Sequence, residues 1–294
     1  MVSLILRHSI VCLLLVLILG CSSQEQKTDK INIAVSILPL AEFTEKIGGE
    51  RVTVSVMVPP GASPHTYEPI PSQLKDVSKA KMYVKVGSPI EFELTWLGKI
   101  LSTNKDMFLV DASPGIELVS VEPGHPHEST RRERYDPHIW LSPRNAKIMA
   151  ENICNGFISI DPKNKKYYTQ NKEKYLKELD NLDHNIEQLL VGKINRKFMV
   201  YHPAWGYFAK DYNLEQISVE IEGKKPTAKS IQYLIEQAKD NSIKVVFTSP
   251  QFNTESAKVI AREMGGRVVF INSLEKDYIP NMKRVAQALS EAME

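Results

Sequence analysis

One long run does most to limit how this chain of 294 residues can fold. From Asp161-Pro162, a capping residue followed by a proline suited to the first helical position, the sequence reads as a single helix to about Ile194. Tyr168, Tyr175, Leu179, Leu182, Ile186 and Leu189 recur along it at steps of three, four or seven. They form one apolar stripe on an otherwise charged rod. About thirty residues rising 1.5 Å each give roughly 45 Å, long enough to cross a whole domain. A stripe of that length must be covered throughout, so the segments on either side have to pack against it.

Those segments share one pattern. INIAVSI, RVTVSVMV, KMYVKVG and MFLVDAS read as strands before the long run; KFMVYHP, LEQISVE, IKVVFTS and RVVFINS read as strands after it. Helical periodicity fills most of the gaps, as in TAKSIQYLIEQAKDN and in TESAKVIAREMGG with its glycine stop. Strand and helix in alternation predict parallel sheets with helices on their faces. The expected fold is α/β: two Rossmann-like parallel-sheet domains, residues 31–160 and 195–294, joined by one long rigid helix over 161–194.

The N-terminus has a different composition. Arg7 precedes an apolar run from Ile10 to Leu19, and Gly20-Cys21 follow. The run is too short to span a bilayer comfortably and reads as the core of a signal peptide over residues 1–20. ILGC ends it as a bacterial lipoprotein signal ends, with Cys21 lipidated; an ordinary secretory signal is the alternative. Residues 21–30 then form a polar tether. The mature chain is expected outside the cytoplasmic membrane, lipid-anchored in a periplasm or at a cell surface. Cys12 would leave with the signal, and Cys154, beside Ile153, Phe157 and Ile158, reads as core. Disulfides and thiolate metal sites are therefore not expected. The net charge of +2 is spread along the chain, with no basic stripe for nucleic acid.

Chemistry centres on histidine. His65 lies in VPPGASPHTYEP, too rich in proline for helix or strand. His138 lies in YDPHIWLSP, held between Pro137 and Pro143 ahead of a helix expected near Arg144. His202 closes the strand KFMVYHP before a helical stretch expected at Ala204. Each follows or replaces a strand end and precedes a helix, and in open α/β sheets ligands bind beyond the carboxyl ends of the strands. Three neutral imidazoles held by rigid turns suit zinc. His8 belongs to the signal, and His184 reads as a solvated position on the long helix. His125 and His127, in PGHPHESTRRER, read as a solvated loop or a weak collector of metal.

GASPHTYEP, YDPHIWLSP and VYHPAWGYFAKDY resemble three successive signatures of the periplasmic or surface zinc- and manganese-binding proteins of ABC importers, the zinc type in particular. The resemblance runs from about Ile31 to the C-terminus and takes in EGKKPTAKS and SPQFNTESAKVIAREMGGRVV. It implies two similar α/β domains with a metal in the cleft between them. It also implies His65 and His138 as ligands from the first domain, His202 from the second, and an ABC permease with its cytoplasmic ATPase as partner to a monomeric binding protein. Many members carry a late aspartate as a further ligand; here Asn272 stands in its place. Ser249 likewise stands where relatives commonly have glutamate. The fourth ligand is left among Asn272, water, Glu68, Glu220 and Glu222.

A nitrogen-rich site without an assured carboxylate favours zinc over manganese, which prefers oxygen. The expected function is capture and delivery of the ion, without catalysis. A surface adhesin is the alternative from another class. A zinc hydrolase or lyase is a weaker one, since the chain has no HExxH motif and no positioned general base. The Gly61-Ala62-Ser63 stretch is the segment expected to move on release.

Overall fold

The computed structural model describes residues 30–120, 135–220, 226–252 and 254–293. The signal peptide, Cys21 with its tether, the His125–His127 pair and Glu222 lie outside the described residues.

Each half of the chain builds a four-stranded parallel sheet. In the first, β1 (Ile31–Val35), β2 (Val52–Val56), β3 (Met82–Lys85) and β4 (Phe108–Asp111) stand in the order β2-β1-β3-β4. In the second, β5 (Lys197–Val200), β6 (Glu215–Ser218), β7 (Val245–Thr248) and β8 (Arg267–Phe270) repeat it as β6-β5-β7-β8. All six pairings are parallel. In each half the chain steps first to one side of its leading strand and then to the other, which opens a crevice at the carboxyl edge where the direction reverses. Strands buried on both faces should be apolar throughout. All four residues of β7 are buried, as are the last three of β1.

Between the strands lie α1 (Leu38–Gly48), α2 (Pro71–Val77), α3 (Glu91–Ser102), α4 (Pro143–Ile160), α6 (Gly206–Asp211), α7 (Ala228–Asp240) and α8 (Glu255–Glu263). The connecting helix is α5 (Lys165–Leu190), and α9 (Tyr278–Ala292) comes last. Pro143 opens α4 one residue before the expected start, and Ser142 caps it by accepting from the Asn145 N–H at 3.0 Å. α6 opens at Gly206, two residues after the expected Ala204. Cys154 is buried and unpaired, as read.

The long helix differs from expectation at both ends. Pro162–Asn164 form a 3-10 turn before α5 begins. The Asp161 carboxylate caps no backbone; it accepts instead from the Tyr168 hydroxyl and the Asn164 amide, both at 2.7 Å. At the other end Val191 turns to extended backbone and Gly192 takes a φ of 80°, so Ile194 is left 98% exposed beyond the helix. The 26 residues of α5 span about 39 Å. The stripe buries Tyr168, Tyr175, Leu179, Leu182 and Ile186, but at its end Leu190 rather than Leu189 is the fully covered residue.

α5 does not join the halves alone. α9 packs along it, and the Ser290 hydroxyl donates to the Leu189 carbonyl at 3.3 Å. Glu42 on α1 accepts from the Tyr175 hydroxyl at 2.9 Å and from the Tyr278 backbone N–H at 2.6 Å. One carboxylate thus ties the first half to both helices. The Ser142 hydroxyl donates to Asp211 at 2.5 Å, and the Trp140 indole donates to the Ser273 carbonyl at 2.7 Å. One contiguous apolar core takes in side chains of both halves and of α5 and α9. A smaller core lies against the second sheet under α7 and α8. A shared core of this kind opposes wide opening of the two halves.

Candidate metal centre

The three histidines meet. His65 leaves the first sheet through a turn in which Gly61 takes a φ of 81° and Ser63 accepts the backbone N–H groups of Thr66 and Tyr67 on its carbonyl. The Ser63 hydroxyl oxygen accepts the N–H of His65 itself at 3.3 Å. His138 caps a 3-10 turn, Ile139–Leu141, whose three apolar side chains are buried. His202 stands two residues past β5, where Tyr201 still donates to the Phe247 carbonyl at 2.7 Å. Two turns from the first half and one strand end from the second therefore aim at one point.

The Nε2 atom of His202 lies 3.2 Å from Nε2 of His65 and 3.3 Å from Nε2 of His138. Among the described residues these three histidines form the group of His, Cys, Asp and Glu side chains whose ligand atoms all fall within 4.8 Å of one another. Nitrogens bound tetrahedrally to zinc at about 2.0–2.1 Å stand roughly 3.3–3.4 Å apart, which two of these separations nearly match.

The other ring nitrogens are all engaged. Nδ1 of His65 lies 2.7 Å from Glu91, that of His138 lies 2.8 Å from Asp136, and that of His202 lies 3.1 Å from Glu220. An ionised carboxylate only accepts hydrogen bonds, so each Nδ1 carries a proton, and a ring in its neutral form presents a lone pair at Nε2. Three lone pairs brought together repel one another unless a cation lies among them. A carboxylate behind the imidazole is also what fixes the ring of a metal-bound histidine and raises its basicity.

Burial is uneven. The side chains of His138 and His202 are 7% and 11% exposed, and that of His65 is 25% exposed beside a half-exposed Glu91. Burial pushes the His202 imidazole down to about 4; the Glu220 hydrogen bond opposes this, and a proton on His138 or His65 reinforces it. Burial would raise Glu91, but its hydrogen bond to His65 and the charge there outweigh burial and hold the carboxyl below its usual range. Phe252 stacks on His202 with centroids 4.5 Å apart and planes at 25°, and Trp140 meets His138 edge-on at 5.2 Å. Both line the pocket, together with Gln251 and Leu274.

Among the described residues, the side chains expected as a fourth ligand are engaged elsewhere or stand outside the cluster. The Asn272 oxygen already accepts from the Gln251 amide at 3.2 Å and from the Leu274 N–H at 3.0 Å, which uses both of its lone pairs. Glu220 sits behind His202 rather than facing the cluster, and Glu68 is exposed and outside the group. Ser249 is buried and donates to the Ile271 carbonyl at 2.8 Å, a bond within the fold. His184 is exposed on α5, as read. Sequence reasoning missed Glu91, Asp136, Trp140, Gln251 and Phe252. Asp136 alone gave a local signal, standing two residues before His138.

The family profile described as zinc-uptake complex component A, periplasmic, matches residues 33–292. The high-affinity zinc uptake system protein ZnuA of Bacillus subtilis (strain 168) is 29% identical over 96% of this chain and 95% of its own length. The manganese ABC transporter substrate-binding lipoprotein PsaA of Streptococcus pneumoniae is 28% identical over 88% of this chain and 87% of its own. A crystal structure of ZnuA superposes with a TM-score of 0.85 at 41% identity, covering 90% of this chain and all of that one.

Proposed function

This chain belongs to the periplasmic zinc-uptake complex component A family, and on that premise we propose that it captures zinc between His65, His138 and His202 and delivers it to an ABC permease. It is an extracytoplasmic binding protein and not an enzyme. The observation that carries the ligand assignment is the meeting of three Nε2 atoms whose Nδ1 partners are all carboxylates. Zinc is preferred to manganese because, among the described residues, the carboxylates against the cluster, Glu91, Asp136 and Glu220, each face a ring nitrogen, leaving a nitrogen donor set.

Anchoring follows from the N-terminus, where Cys21 is the proposed lipidation site; among the described residues no helix is long and apolar enough to cross a membrane. The partners are the permease and its cytoplasmic ATPase, met by a monomer. With the halves sharing one core, release goes through the most exposed ligand, His65, by movement of the Gly61-Ala62-Ser63 turn rather than by wide opening.

The test is linkage. Metal-free protein should bind one equivalent of zinc and gain thermal stability as free zinc rises, about 2.7 kcal/mol at a free concentration a hundredfold above Kd. His65→Ala, His138→Ala and His202→Ala should each remove most of that gain, while His184→Ala keeps it. Equal, small losses at all four positions would remove the assignment.

A further inference from the structure

We propose that the side-chain carbonyl of Gln251 holds a water molecule as the fourth, non-protein ligand of the captured ion, an inference that rests on the zinc reading above. The orientation of this amide follows from a chain of hydrogen bonds. The Leu274 N–H can only donate, so the Asn272 atom 3.0 Å away is its oxygen. The Glu275 carboxylate accepts, so the Asn272 atom 3.1 Å from it is the nitrogen. Gln251 faces the Asn272 oxygen at 3.2 Å and must therefore turn its NH2 group toward it. Its carbonyl is thereby directed elsewhere, and cannot flip without setting two oxygens face to face.

That carbonyl oxygen is buried and has no hydrogen-bond partner. Such atoms are rare in folded proteins and call for a cause. Here the residue lines the same pocket as His65, His138 and His202. Three histidines leave one tetrahedral position open on zinc, and zinc with three protein ligands takes water there. Water on a divalent cation is a polarised donor. Its natural acceptors, the three carboxylates, are engaged on Nδ1 atoms, and the Asn272 oxygen is saturated. Gln251 offers a buried acceptor in the same pocket with no bond of its own. A neutral amide holds the water without drawing a proton from it, which suits capture rather than hydrolysis.

Two measurements decide it. Gln251→Met keeps the length of the side chain and deletes the carbonyl together with the NH2 group that donates to Asn272. It should still bind one zinc, with affinity by chelator competition lowered about tenfold. The cobalt(II) absorption spectrum should change, and the melting temperature of the metal-free protein should stay level, because removing a buried orphan acceptor offsets the lost bond to Asn272. A purely structural role predicts the reverse: a lower metal-free melting temperature with zinc affinity and cobalt spectrum unchanged. That outcome would overturn the proposal. The second is a crystal structure of the zinc-loaded wild type, which needs no variant to fold. A metal-bound water within about 3.2 Å of Gln251 Oε1 supports the assignment, and a protein side chain in the fourth position ends it. Wild-type protein that binds no zinc would instead overturn the three-histidine reading, and this inference with it.

Discussion

A single oxygen of Asp136 receives both the backbone N–H of His138, at 2.9 Å, and its ring Nδ1, at 2.8 Å. The carboxylate therefore fixes the backbone and the ring of the same residue, and does so where both side chains are almost fully buried. Asp136→Asn retains an oxygen for these bonds but removes the charge that makes the imidazole a better donor to metal. Zinc affinity by chelator competition should fall by roughly tenfold, and Asp136→Ala should lose more, within the ten- to hundredfold range of such supporting carboxylates. Unchanged affinity in both variants would mean that the turn alone positions His138.

His202 sets a pH dependence on the metal-free protein. Its folded value, about 4, lies below the 6.5 of an ordinary histidine. Between those values the unfolded chain binds the extra proton, so stability rises with pH across this window and is lost as pH falls through it. The stability lost across the whole window is on the order of 3 kcal/mol. Denaturant unfolding of metal-free protein at a series of pH values should show stability declining from about pH 6.5 toward pH 4. His202→Asn should flatten that part of the profile. A slope identical in variant and wild type would show that other groups cause it.

Why some of the site was legible and some was not can be traced to particular residues. His65 and His138 stood out because neighbouring prolines ruled out regular structure around them, and His202 because it closed a strand. Local chemistry was enough for each. Glu91 lies twenty-six positions from His65, beyond an intervening helix and strand, and only tertiary packing brings it to Nδ1. Glu220 was visible as an acid near the site, but sequence does not separate a carboxylate facing an ion from one behind a ring. Asn272 read as a ligand from its place in a motif, and its two lone pairs are taken by contacts that no spacing reveals. In the fold, alternation predicted both sheets. The packing of α9 against α5 was hidden because an apolar stripe shows that a helix is covered but not by what.

Glu42 holds the halves together from within. Its two oxygens accept separately from the Tyr175 hydroxyl and the Tyr278 N–H, and Phe43 beside it meets the Tyr278 ring edge-on at 5.0 Å. Glu42→Ala would leave both donors buried without a partner, each costing about 1–3 kcal/mol. Global stability by denaturant unfolding should drop by about 3 kcal/mol, with zinc still bound at one equivalent. A loss below about 0.5 kcal/mol, the level of an ordinary surface substitution, would show that the surrounding core carries the junction without this carboxylate.

Gly206 separates helix energetics from metal binding. It opens α6, and a Cβ placed there would stand 2.4 Å from the second carboxylate oxygen of Asp136. For the helix alone, alanine is better than glycine by up to about 1 kcal/mol. The clash, however, falls on a carboxylate whose other oxygen accepts from the backbone N–H and the Nδ1 of His138, so Asp136 cannot yield without shifting that ligand. Gly206→Ala should therefore lower zinc affinity about tenfold, while in the metal-free protein the helix gain offsets only part of the clash. The route can be isolated by a double-mutant cycle. With Asp136→Ala already present there is no carboxylate to displace, and adding Gly206→Ala should cost zinc affinity almost nothing, a coupling of about 1.4 kcal/mol between the two positions. Additive losses would show that the extra methyl disturbs the site by another path, through the start of α6 and the His202 segment before it.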